Sequence, residues 1–222
     1  KPLTILIINH NYQTYLKKCL SSILKNDLKI INEIIIVDDA STDKSIQIIS
    51  SLKKLNKKIS IYKVKFNCLS KTLNYVINKV KTEWILKIDA DDFIHRDMIK
   101  ELFKYTNNFD FIFSNFYLFN KKKTIKKKQV VKKNFLKYFY HPIGSGNLYK
   151  KKLWLKVGGY DDKNKFKDDV YFWIKILNLK NLKTKHVNKY LYYYRQHNKS
   201  MSKNIFKKYF VLFKIIYKNL TE

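Results

Sequence analysis

Residues 3 to 9, Leu-Thr-Ile-Leu-Ile-Ile-Asn, form a near-continuous apolar run, and Glu33 to Val37 and Ile85 to Ile88 form two more of strand length. Runs without polar alternation predict strands buried on both faces, as in a parallel sheet. Between them the period changes. Tyr15, Leu16, Cys19, Leu20, Ile23 and Leu24 recur at helical spacing, as do Ile46, Ile49 and Leu52, and then Leu73, Val76, Ile77 and Val80 within a helix over 69–80. Residues 59 to 64 alternate and supply another strand. Thr42 or Asp43 is placed to cap the second helix, and Asp92 or Asp97 to cap one over 97–105. Strands alternating with helices predict an α/β unit with right-handed crossovers and ligands at the strand C-termini.

Both acidic clusters fall at such termini: Asp38-Asp39, and Asp89-Ala90-Asp91-Asp92. On an extended backbone Asp89 and Asp91, two apart, point to one face and can share a hard divalent cation, whose remaining oxygens a substrate diphosphate can supply. A turn followed by a helix cap is the alternative for either cluster alone. Two clusters on one sheet edge favour chemistry.

Beyond residue 109 the pattern changes again. Asp110 to Phe119 reads as a long aromatic strand, and residues 121–133 hold eight lysines and no acid. A solvated hairpin or loop is the expectation for that run, with contact to phosphates or anionic lipid as the alternative. Residues 143–150 carry half of the glycines, which suggests a close backbone approach to a neighbour or ligand. Leu153 to Val157 predicts a short helix stopped by Gly158-Gly159. Another helix opens at Lys167-Asp168-Asp169, where acids in the first turn also suit the helix dipole. Residues 184–195 read as one or two strands. In a final helix, Phe206, Tyr209, Phe210, Phe213, Ile216, Tyr217 and Leu220 lie on one side, while Lys203, Lys207, Lys214 and Lys218 lie on another. Docking onto the core is expected of it, with a membrane interface as the alternative.

Composition narrows the class. The 222 residues fit one domain, and 45% hydrophobic content argues against global disorder. No apolar run reaches the ~20 residues of a membrane span, and no signal-peptide pattern opens the chain, so a cytoplasmic protein is expected, peripheral to the membrane at most. Cys19 and Cys68 lack metal-ligand spacing and read as thiols. The balance of 47 Lys+Arg against 17 Asp+Glu, net +30, would suit nucleic acid or an anionic membrane. The surplus is nearly all Lys, however, accompanied by Ile, Asn, Phe and Tyr, the set that A- and T-rich codons encode. With no recognisable RNA-binding platform, nucleic acid is a minority reading.

Five motifs in one order, Ile8-Asn9-His10-Asn11-Tyr12, Val37-Asp38-Asp39-Ala40-Ser41, Ile88-Asp89-Ala90-Asp91-Asp92, Val157-Gly158-Gly159-Tyr160-Asp161 and Lys167-Asp168-Asp169, resemble the inverting family 2 glycosyltransferases of the GT-A fold. The resemblance implies a single α/β domain with a Rossmann-like, mainly parallel central sheet flanked by helices. Residues 1–109 would be the nucleotide-sugar half, 110–202 the acceptor half, and 203–222 the basic C-terminal helix. It further implies that Asp39 contacts the nucleotide base in a pocket lined by His10, Asn11 and Tyr12, that Asp89 faces the ribose, and that Lys71 contacts the donor. Around Lys71 the chain departs from the pattern, because the usual glycine after Asn67 is absent. Asp91, with Asp89 and His197, would hold Mn²⁺ or Mg²⁺; Gly146, Asn147 and Asp168 would meet the acceptor; and Asp169 would be the general base. The implied reaction moves a sugar, UDP-linked by default, to a hydroxyl of a saccharide or lipid-linked acceptor in surface glycan synthesis. Rival readings are a sugar nucleotidyltransferase, disfavoured because no Gly-rich loop follows the first strand, and a non-catalytic binding module.

Overall fold

A computed structural model describes residues 2–120, 122–129, 143–162 and 171–197, and the backbone of 168–170. The predicted alternation is present. β1 (Leu3–Asn9), α1 (Gln13–Leu24), β2 (Ile31–Asp39), α2 (Ser45–Leu55), β3 (Ile59–Val64), α3 (Leu69–Lys79) and β4 (Trp84–Asp89) follow in order. β1, β2, β3 and β4 pair in parallel in the spatial order β3-β2-β1-β4. Register then puts chemistry side by side: Asn9 lies opposite Asp38 on one neighbour, and Ile8 opposite Asp89 on the other.

The second half extends the same sheet with mixed pairing. β5 (Phe93–Ile94), α4 (Met98–Phe103), β6 (Phe111–Phe119), β7 (Thr124–Lys127), β8 (Leu148–Lys150), α5 (Lys151–Lys156), α6 (Asp168–Leu177) and β9 (Thr184–Arg195) complete the described elements. The order continues β4-β8-β6-β9-β5, with β7 hairpinned onto β6. Within the lysine-rich run, expected as a hairpin or loop, β7 pairs with β6 as a hairpin, and residues 121 and 130–133 lie outside the described residues; residues 184–195 form one strand. β5 and β8 have only two and three residues, too short for a period to register in the sequence.

Two apolar layers sandwich the sheet. Leu3, Ile5, Ile7, Trp84, Leu86 and Ile88 meet α1, α2 and α4 on one face. Leu6, Ile35, Val37 and Ile85 meet α3, α5 and α6 on the other. The period-2 alternation of the strands therefore sends successive residues into different cores, which is why neither face is polar.

The caps differ from expectation. Lys44 occupies the N-cap position of α2, and Asp43 acts one residue earlier, accepting the Ser45 N–H at 2.9 Å. Asp97 sits at the N-cap of α4 without a side-chain hydrogen bond, and Asp92 turns instead to β9. Gly158 and Gly159, at φ 69° and 74°, end α5 as predicted. The predicted helix beyond residue 203 lies outside the described residues.

Candidate active site

β4 delivers Asp89 to the sheet edge, and the Asp92 N–H donates to the Asp89 carbonyl at 3.0 Å, closing a tight turn. That turn ends the extended backbone on which alternation would have separated Asp92 from its neighbours. Asp89, Asp91 and Asp92 each place a carboxylate oxygen within 4.8 Å of the others. Such a set of hard oxygens fits Mg²⁺ or Mn²⁺.

Three like charges this close, partly out of water, need compensation. Burial first, then the charges of Asp91 and Asp89, pushes the Asp92 carboxyl well above the usual range. Its two oxygens are held by donors from β9, the Tyr192 hydroxyl at 2.6 Å and the Arg195 N–H at 2.7 Å. Asp91 is also raised, by burial and then by Asp89, with the His197 hydrogen bond opposing. His197 Nε2 lies 2.8 Å from Asp91 Oδ2, and its ring rests 4.8 Å from that of Tyr15. Arg195 Nε donates to the Asp91 carbonyl at 2.7 Å. Tyr12 closes the same side, its hydroxyl raised by burial and by the charges of Asp91, Asp89 and Asp92, so it remains protonated at neutral pH.

Lys87 is the charge that the sequence reading missed. It sits on β4 only 1% exposed, and its ammonium donates to Asp89 Oδ1 at 2.8 Å, Ser145 Oγ at 3.0 Å and the Gly144 carbonyl at 3.3 Å. A lysine in the middle of an apolar strand requires a buried partner, and its spacing from Asp89 names one. That signal was present in Lys87-Ile88-Asp89. The roles of Tyr192 and Arg195 carried no comparable local signal, because the partner lies a hundred residues away in the chain.

Beside this cluster the β1 and β2 loops interlock. Asn11, at φ 60°, accepts the Thr42 and Asp43 N–H groups through its side-chain oxygen at 2.7 and 3.2 Å. His10 Nδ1 lies 2.6 Å from the Asp39 carbonyl, and Asn9 Nδ2 donates to Asp38 Oδ1 at 2.8 Å. The Asp39 carboxylate, 4% exposed, accepts the N–H groups of Phe66, Asn67 and Cys68 and the Thr72 hydroxyl. Those four donors match the roughly four lone-pair positions of a carboxylate, so Asp39 fixes the loop that leads into α3. Asn67 takes φ 48° there, a left-handed conformation that Asn tolerates. Lys71 stands exposed on the first turn of that helix.

Ahead of β8, the Gly146 N–H donates to the Lys87 carbonyl at 2.8 Å, and a Cβ at Gly146 would meet the Tyr192 ring at 2.5 Å. The close approach expected of this glycine is thus to a neighbour within the fold. Asn147 is 1% exposed and donates to the Ile143 carbonyl. Asp168 and Asp169 open α6, and their side chains lie outside the described set. The structure therefore unites His10, Asn11, Tyr12, Asp89, Asp91 and His197 at one edge, with Asp39 beneath its adjoining loop and Gly146 and Asn147 packed behind Lys87.

The profile of "Glycosyl transferase family 2" matches residues 4–210. Glycosyltransferase GlyA of Streptococcus pneumoniae is 26% identical over 222 residues, covering 90% of this chain and 31% of that protein. The O-antigen biosynthesis glycosyltransferase WbnJ of Escherichia coli is 26% identical over 214 residues, covering 91% and 82%. Among solved structures, Staphylococcus aureus TarS in complex with UDP-GlcNAc superposes with a TM-score of 0.75 at 19% identity, over 91% of this chain and 61% of that one. The chain thus spans about a third of the length of its pneumococcal relative.

Proposed function

The chain belongs to glycosyl transferase family 2, and from that premise we propose that it transfers a sugar from a nucleotide diphosphate, UDP by preference, to a hydroxyl of a saccharide or lipid-linked acceptor in surface glycan synthesis. The observation that carries the reading is the acidic cluster at the end of β4, set beside the interlocked β1 and β2 loops. UDP is favoured because the structurally similar TarS was solved with UDP-GlcNAc, and glycan synthesis because WbnJ is an O-antigen enzyme.

The residues divide the work. His10, Asn11 and Tyr12 line the nucleoside side, with Asp39 beneath it. A base contact from Asp39 would exchange one of its four loop donors. Asp89, braced by Lys87, faces the ribose, and Lys71 reaches the donor from α3. Asp91, with Asp89 and His197, is the set that would hold Mn²⁺ or Mg²⁺, which when bound neutralises charge growing on the departing diphosphate. The acceptor hydroxyl loses its proton to Asp169 as its oxygen bonds to the anomeric carbon, and the bond to the diphosphate oxygen breaks on the opposite face. A single displacement inverts the anomeric configuration, as it does in inverting glycosidases. Gly146, Asn147 and Asp168 would shape the acceptor side.

Release of UDP from UDP-GlcNAc tests this directly. The unmodified protein should turn the donor over, and Asp169→Asn should cut the rate by about 10²-fold or more while leaving UDP affinity unchanged. Turnover that survives Asp169→Asn would remove that residue as base. Failure to release UDP or any other nucleotide from a panel of nucleotide sugars would contradict the activity.

A further inference from the structure

Along the edge of the sheet that carries Arg195 runs a row of aromatic rings that the proposed reaction does not use. Phe93 of β5 stacks on Tyr193 of β9 with centroids 4.4 Å apart and Tyr193 on Tyr117 of β6 at 4.8 Å, while Tyr190, also of β9, meets Tyr117 in a tilted contact at 5.3 Å. Lys126 of β7, opposite Tyr117 in the hairpin, ends the row with its ammonium 5.5 Å from the Tyr190 ring. At the other end the Arg195 guanidinium lies 5.5 Å from Phe93, and Lys18 of α1 reaches to 3.9 Å from the same ring. Four adjacent strands are crossed, a span of about 15 Å at ordinary strand spacing.

The four rings are part-exposed, and Lys18 and Lys126 are exposed. Ring faces are occupied by one another, so the row offers ring edges and tyrosine hydroxyls between cationic heads. Burial and the neighbouring Tyr117 raise the Tyr193 hydroxyl, which keeps it a donor. None of β5, β6, β7 and β9 contains an acidic residue; of their cations Lys189 pairs with Glu101 and Lys185 lies over the Tyr105 and Phe109 rings, while Lys126 and Arg195 stand beside the row. A surface with repeated positive charge and hydroxyl donors complements a chain with repeated anionic groups and hydroxyls. Its arginine end also donates to the Asp91 carbonyl, so a chain lying on the row leads to the carboxylate cluster.

We propose that the row from Arg195 to Lys126 is a binding track for a polyol-phosphate chain, the class of acceptor on which this chain acts. The acceptor role rests on the glycosyltransferase reading; the binding does not. Phosphate groups of the polymer pair with Lys18, Arg195 and Lys126, and its hydroxyls meet Tyr117, Tyr190 and Tyr193.

Binding of fluorescein-labelled poly(glycerol phosphate) to the full chain, followed by anisotropy, tests the track. Lys126→Glu combined with Tyr190→Ser should weaken binding about tenfold, and Lys57→Glu, an equal charge reversal at the far end of the strands, should weaken it far less. Neutral dextran should not bind. Calorimetric titration of UDP into the same variants should give the affinity of the unmodified protein, which separates the track from the donor site. Equal loss from Lys57→Glu would overturn the proposal, since it would show attraction to overall charge. So would binding to phosphatidylglycerol–phosphatidylcholine vesicles without binding to the polymer, which would make the face a membrane contact. Failure of the donor reading would show separately, as absence of UDP binding in the unmodified protein.

Discussion

Lys87 and Gly146 place the account's most local demands on the chain. Lys87 holds Asp89 at 2.8 Å from a buried position, so Lys87→Met leaves a part-exposed carboxylate without its fixed countercharge and two loop acceptors without a donor. Because Asp89 retains some contact with water, the loss belongs below the range for fully buried pairs, at about 2 kcal/mol. Urea denaturation measures it, and a change under ~0.5 kcal/mol would mean that the ion pair carries no net stability. Gly146→Ala acts through sterics. Its φ of 77° and the Tyr192 ring 2.5 Å from the new Cβ oblige that ring to move, and the Tyr192 hydroxyl is what holds Asp92. A cost of about 2 kcal/mol is expected, with a fall in metal-dependent UDP affinity alongside it.

At the scale of elements, α4 is tied to β9 by one exposed cluster. Glu101 accepts from Lys104 at 2.7 Å and from Lys189 at 2.9 Å, and those hydrogen bonds hold its carboxyl at about 2, down from an ordinary 4.5. A depressed carboxyl contributes stability that is fully present above its unfolded value and lost as the folded one is crossed. Acid unfolding should therefore steepen between pH 4.5 and 2, and Glu101→Gln should flatten that window while costing only about 0.5 kcal/mol at neutral pH. An unchanged acid limb in the variant would contradict the linkage. The elements themselves were legible in the sequence to different degrees. β1, β2 and β4 announced themselves by long apolar runs, because burial on both faces suppresses alternation, and β3, half-buried, by its alternation. β5 and β8 did not, being short segments held in place by β9, β4 and β6. The carboxylates Asp89 and Asp91 were legible as a pair, whereas Asp92 joined them only through a turn that alternation cannot foresee. His197 was placed by family resemblance alone, and the structure sets it on Asp91.

For the whole molecule, the sheet divides the labour along its length. Parallel β1 to β4 present the acidic edge and the interlocked loops, and the mixed extension through β9 returns Tyr192, Arg195 and His197 to brace it. This closure explains how residues a hundred positions apart become one site. It also gives part of the +30 net charge a location, since β5, β6, β7 and β9 carry no acid of their own and, among the described residues, only Lys189 of their cations is matched, by Glu101 of α4. Among the described residues, no helix is long and apolar enough to cross a membrane. The central claim, that the β4 edge is a metal-dependent nucleotide site, is tested most directly by calorimetric titration of UDP with Mn²⁺, with EDTA, and into Asp91→Ala. The account predicts binding with Mn²⁺ that EDTA and Asp91→Ala each abolish; UDP affinity indifferent to both would contradict it.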